Sequence, residues 1–226
     1  MPAANIMKRK SLKINVSPTI GSVSAITIVP GKPVCLLAMA HGAGAGMTHP
    51  FMEELATSLA EAGIATLRFN FPFMEKLKKG PPDRPPVAHK TIEVVITKSQ
   101  KLFPALPLFV SGKSFGGRMT SQYIAESKET AIKGIVFFGF PLHAPGKPSV
   151  ERGDHLKKIK VPMLFLQGSR DEFAEWELIK KVTASLKKAT LVRIEGANHS
   201  YKAGKLNTME ILVKETKGWV TRLLKK

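Results

Sequence analysis

Three side chains in this sequence carry the chemistry of acyl transfer: Ser114, Asp171 and His199. A serine hydroxyl is a poor nucleophile until an adjacent base takes its proton, and the base needs a third group to orient it. Ser114 stands in Gly112-Lys113-Ser114-Phe115-Gly116, a G-x-S-x-G pattern. Glycines on both sides let a serine occupy a sharp, strained turn between a strand and a helix. The same Gly-Lys-Ser core also ends the phosphate-binding loop G-x-x-x-x-G-K-S/T, whose first glycine lets the backbone curl round the phosphates. Here that first position is Pro107, and Leu108-Phe109-Val110 leave no loop to curl. The phosphate reading fails.

For the three groups to meet, the surrounding elements must end at one edge. An opening hairpin is expected from 12–16 and 23–29, where β-branched residues cluster around Ser-Pro and Gly-Ser turns. Short apolar runs at 34–40, 64–69, 106–111, 132–138, 161–167 and 190–194 read as further strands. Between them, helical periodicity begins at Thr48 and stops at Gly63, then recurs at 91–102, 115–126, 175–186 and 208–224. Residues 71–86, rich in Lys, Pro and Gly, read as a loop. Strands alternating with helices demand crossovers, so the chain is expected to be one α/β domain with a mostly parallel sheet, helices on both faces. Asp171 then follows the carboxyl end of strand 161–167, and His199 that of strand 190–194. Ligand sites of open α/β sheets lie at this edge.

A fourth component is a pair of amides for a developing oxyanion. Strand 34–40 runs into His41-Gly42-Ala43-Gly44-Ala45-Gly46, and the Ala43 N–H is one candidate. The other is the N–H of Phe115, the residue after the nucleophile. A dinucleotide fingerprint fails here, because Met47 holds the third glycine's place and Asn70, not an acid, ends the next strand. His41 reads as a buttress of the glycine turn. Phe71, Phe73, Phe140 and His143 follow strands at the same edge and are candidate walls of a substrate pocket. Lys113 and Arg118 bracket the elbow with positive charge: an acidic substrate is one reading, and side chains solvated or paired with nearby carboxylates are the favoured one, which leaves Lys113 a bystander. His49, His89 and His155 lack metal-ligand spacing, so neither metal nor cofactor is implied.

Composition narrows the class of molecule. A chain of 226 residues with 43% hydrophobic content can bury one sizeable core. Lys and Arg number 35 against 17 Asp and Glu, a net charge of +18, which permits non-specific attraction to polyanions. The lysines come in short runs such as 76–79, 157–158 and 225–226, without the interleaved aromatics of a nucleic-acid stacking platform. No specific nucleic-acid partner is therefore expected. Cys35 sits in an apolar run and reads as a small buried hydrophobe, fitting a reducing, cytoplasmic setting. No apolar stretch approaches the roughly 18 residues of a membrane span. Oligomeric state is not legible.

The motifs HGAGAGMTHPFM, LRFNFPFME, PPDRPP, SGKSFGGRM, GFPLHAPGKP, LQGSRDEF and GANHSY together resemble the α/β-hydrolase superfamily. More narrowly, they are similar to its small dienelactone-hydrolase-like branch, from about Val34 to the last helix. The resemblance implies an α/β-hydrolase fold with little or no cap domain and a serine hydrolase site. Dienelactone hydrolases use a cysteine nucleophile, so their substrate does not carry over to Ser114. The expected function is cleavage of a small ester-type acyl substrate through an acyl-enzyme. The alternative is a non-catalytic interaction module on the same fold, working through its basic surface; peptide cleavage has no feature in its favour.

Overall fold

The computed structural model describes residues 7–75, 80–127 and 131–225. The lysine run at 76–79 and the final Lys226 lie outside them. A sheet of eight strands runs in the order β1-β2-β4-β3-β5-β6-β7-β8. The strands are β1 (Lys8–Ser17), β2 (Gly21–Val29), β3 (Cys35–Ala40), β4 (Ile64–Phe69), β5 (Leu108–Lys113), β6 (Ile132–Phe138), β7 (Met163–Gly168) and β8 (Ala189–Ile194). β1 and β2 are antiparallel, β2 joins β4 antiparallel, and from β4 to β8 every pairing is parallel. This is the α/β-hydrolase architecture expected from the sequence, with no large cap.

Strand side chains alternate between two buried faces, because crossover helices cover both. Leu36, Ala38 and Ala40 of β3 face one core together with Ile135 and Phe137 of β6. Cys35, Leu37 and Met39 face the other with Val136 and Phe138. Helices α2 (Pro85–Leu102), α3 (Phe115–Glu126) and α4 (Trp176–Ala184) cover the first face. α1 (Pro50–Glu61) and α5 (Thr208–Leu224) cover the second. Cys35 is fully buried there, and burial pushes its thiol up to about 12. Among the described residues, no helix is long and apolar enough to cross a membrane.

Several boundaries differ from the sequence expectation, each for a physical reason. β1 starts at Lys8 because Lys8 to Ser11 pair with Ile26 to Val29 along an exposed sheet edge. Edge strands carry lysine without an apolar signal. α2 starts at Pro85, inside the expected loop, since proline at the first helical positions forfeits only an N–H that has no partner there. β5 is displaced toward Ser114: Leu36 N–H bonds Pro107 O at 3.0 Å, and the ladder continues through Gly112 and Lys113. A run of 3₁₀ helix at Glu151–Lys158 had no periodic signal.

Where β5 meets α3, backbone touches backbone. A Cβ added at Gly112 would lie 2.2 Å from the Gly117 nitrogen and 2.3 Å from the Gly116 carbonyl carbon. Gly112→Ala is therefore expected to lose about 3 kcal/mol or more of stability, beyond the usual range for overpacking. Gly44→Ala, with nothing within 4 Å of the added carbon, should stay close to the parent. Urea midpoints of the two variants test the contrast, and equal midpoints would refute it.

Candidate active site

β5 ends at Lys113 and α3 begins at Phe115, so Ser114 alone makes the turn, with φ 49° and ψ −116°. A side chain at positive φ is uncommon and persists only where its surroundings hold it. Ser114 N–H donates to Phe138 O at 3.2 Å, and Ser114 O accepts from Arg118 N–H at 3.1 Å. The neighbouring strand and the first turn of α3 thus clamp the residue from both sides.

The hydroxyl meets a base. Ser114 Oγ lies 2.8 Å from His199 Nε2, and His199 Nδ1 lies 2.8 and 2.9 Å from the two Asp171 oxygens. Asp171 is buried, and its oxygens are otherwise occupied: Gln167 Nε2 donates to Oδ2 at 2.6 Å and Phe173 N–H to Oδ1 at 2.8 Å. Gln167 is itself oriented, because its Oε1 accepts from Phe140 N–H at 2.9 Å. With the carboxylate accepting at Nδ1, the imidazole carries its proton there and offers Nε2 to the serine. Such a chain can move a proton from Ser114 to His199 while Asp171 holds the ring.

The glycine turn after β3 lies against the elbow. A Cβ placed on Gly42 would be 3.8 Å from Ser114 Cβ, and neither Ala43 N–H nor Phe115 N–H bonds another described backbone group. His41 braces this turn. It is fully buried, with Nδ1 on Gly42 O at 2.7 Å and Nε2 accepting from Phe71 N–H at 2.9 Å. Asn70 pins the far side through Met47 N–H at 2.8 Å and bonds Glu75 Oε1 at 2.8 Å. Glu75 also accepts from Ser24 and Lys13, and those hydrogen bonds hold its carboxyl below the usual range although burial pushes the other way.

A cleft of about 400 Å³ opens over Ser114, walled by Ala43, His49, Phe51, Met52, Phe173 and His199 among others. The aromatics expected to form this wall do not. Phe71, Phe73 and Phe140 are buried in the core, the first two edge-on to His41 and Phe140 edge-on to Phe137. His143 is also buried. Its Nδ1 bonds Ala144 O at 2.9 Å and its Nε2 accepts Glu175 N–H at 3.0 Å, tying the loop after β6 to the start of α4. These four residues follow strands, but the three phenylalanine rings turn into the core and His143 is held by its two loop bonds.

Lys113 is likewise no solvated bystander. Its Nζ donates to His199 O at 2.7 Å and sits 5.4 Å over the Tyr201 ring. Burial pulls the ammonium down to about 8, against the attraction of Asp171 and Glu172. Sequence reasoning also passed over Gln167 and Phe173, which hold Asp171, and Phe51 and Met52, which wall the cleft. Gln167, a polar residue closing an apolar strand, was the one available signal.

Residues 33–216 match the model of the alpha/beta hydrolase domain, and the chain belongs to that family. Among solved structures it is similar to Est1E from Butyrivibrio proteoclasticus, at 18% identity and TM-score 0.75, covering 96% of this chain and 99% of that one. An alpha-beta serine hydrolase homologue from Coxiella burnetii gives 21% identity and TM-score 0.75 over 94% and 99%. A dienelactone hydrolase from Anabaena variabilis gives 16% and 0.74 over 96% and 98%. At these identities the likeness is one of fold.

The buried His41 has a pH consequence. Desolvation lowers its pKa from 6.5 to about 4, and protonating Nε2 would also break its bond to Phe71 N–H. Between those values the unfolded chain binds a proton that the folded chain does not, so stability is complete above about pH 6.5 and is lost as pH falls toward 4. From pH 7 to pH 5 this histidine should remove about 2 kcal/mol of unfolding free energy. Urea titrations of the parent and of His41→Asn at the two pH values measure it; an equal loss between pH 7 and pH 5 in both would exclude it.

Proposed function

We propose that this protein is a serine hydrolase of small ester-type substrates, carboxylesterase-like in reaction. The observation that carries the reading is the continuous hydrogen-bonded chain Ser114–His199–Asp171, with the serine on a strained elbow at the floor of an apolar cleft. Family membership supports it.

In this mechanism His199 Nε2 takes the Ser114 proton as Oγ attacks the ester carbonyl. Asp171 stabilises the resulting imidazolium through Nδ1, with Gln167 and Phe173 keeping the carboxylate in place. The oxyanion of the tetrahedral intermediate is received by the Phe115 and Ala43 amides, each typically worth about 3 kcal/mol. His199 then returns the proton to the departing alkoxide, which leaves Ser114 acylated. Water enters, His199 takes its proton, and the collapse of the second intermediate releases the acid and restores the serine. Neither metal nor cofactor has a part in these steps.

Two measurements test the proposal. A fluorophosphonate probe should label the protein and fail to label Ser114→Ala; undiminished labelling of that variant would overturn the assignment. On a panel of 4-nitrophenyl esters of increasing acyl length, Asp171→Asn should lower kcat by about 10⁴-fold through loss of the correct tautomer. Absence of turnover on every ester and thioester, together with salt-sensitive binding of polyanions, would favour the non-catalytic module instead.

A further inference from the structure

Ser114 is shared by two openings. Besides the apolar cleft, a second one of about 320 Å³ has Ala43, Ser114 and Phe173 in its walls together with Arg118, Arg152 and Asp83. Arg118 lies one helical turn beyond the nucleophile on α3, and Arg152 comes from the 3₁₀ run Glu151–Lys158. Both residues line the opening.

Both cations are in an unusual situation. Among the described residues neither forms an ion pair, and the other arginines without one, Arg84, Arg170 and Arg222, are exposed. Both are partly buried. Burial is the main influence drawing the Arg118 pKa down, and the field of Arg152 adds to it. His155, which bonds Ser121 Oγ at 2.7 Å, feels Arg118 as a repulsive charge too. Like charges half-withdrawn from water and facing one cavity are costly unless something anionic joins them. The carboxylate on this wall, Asp83, receives Phe73 N–H on its Oδ2 at 3.1 Å.

We propose that the second opening is an anion subsite, in which Arg118 and Arg152 bind a carboxylate carried by the ester substrate. The inference rests on the hydrolase reading and names its substrate class: an ester with an apolar half and a half ending in a carboxylate, such as a monoester of a dicarboxylic acid. The planar fork of each guanidinium fits carboxylate oxygens. The apolar half occupies the cleft lined by Phe51, Met52 and Phe173. The scissile carbonyl lies between, over Ser114, where the two openings meet.

The test compares pairs of esters that differ by one terminal carboxylate. Mono-4-nitrophenyl glutarate is paired with 4-nitrophenyl butyrate to place the carboxylate on the acyl side, and 4-acetoxybutyrate with butyl acetate to place it on the alcohol side. In at least one pair the anionic ester should have the higher kcat/KM. Arg118→Gln or Arg152→Gln should lower that anionic-to-neutral ratio about tenfold, the usual effect of losing a hydrogen bond to a charged group. Because each variant is measured against its own neutral substrate, a general loss of activity does not mimic the result. Neutral esters preferred in both pairs, with ratios unmoved by either substitution, would overturn the subsite and leave the hydrolase standing. Calorimetry on Ser114→Ala separates the opposite case. Monomethyl glutarate binding more tightly than dimethyl glutarate, and losing that advantage in Ser114→Ala/Arg118→Gln, supports the subsite even if no ester is turned over; equal binding refutes it.

Discussion

Helix α3 presses onto strand β5 with no side chain between them, and the geometry of the site follows from that contact. The strand delivers Lys113, the helix takes up at Phe115, and one residue must reverse the chain within its own φ and ψ. Ser114 accepts the left-handed conformation because Phe138 O and Arg118 N–H hold its peptide groups. Close approach at Gly116, whose added Cβ would stand 2.5 Å from His41 O, draws the end of β3 to the same point. The first turn of α3 and the glycine turn after β3 thereby come together beside Ser114.

A second constraint lies at Gly139, just past β6. Its φ is +69°, and an added Cβ would lie 3.2 Å from Lys113 Nζ, 3.4 Å from Asp171 Oδ2 and 3.5 Å from His199 Nδ1. Three polar groups of opposing character thus crowd round one α-hydrogen. The ammonium is held by His199 O and the Tyr201 face rather than by the carboxylate, which stays directed at the imidazole. Lys113 steadies the backbone that carries the base. Its own proton is weakened by burial, so part of the cost of placing it there is met by the attraction of Asp171 and Glu172.

The legible parts of this protein were those written in short-range pattern. Apolar runs bounded by glycines marked the buried strands, and the order Ser114, Asp171, His199 after successive strand ends pointed to one edge. Boundaries governed by pairing partners rather than by composition were less legible: Lys8 to Ser11 form strand only because β2 lies beside them. The pocket walls were not legible at all. Phe71, Phe73 and Phe140 have the right chain position, yet core space beneath the glycine turn draws their rings inward, while Phe51 and Met52 reach the cleft from a helix on the other face. Lys113 shows the same limit: charge type suggests solvent, and only the fold shows that His199 O waits for it.

The composition and the site bear on one another through charge. Most lysines and glutamates here are exposed, and their ion pairs, such as Lys90–Glu93 and Lys180–Glu177, contribute little to stability because water screens them. An excess of +18 therefore does little for the fold. Its physical consequence is a field outside the molecule, attractive to anions over roughly a Debye length of about 8 Å at physiological salt. Within that range a carboxylate-bearing ester is drawn in without selectivity. Selectivity begins where Arg118 and Arg152 stand half-desolvated beside Ser114, because charges shielded from water are worth far more than those in it. On the proposed reading the diffuse charge raises the encounter rate and the two guanidinium groups set the register of the ester.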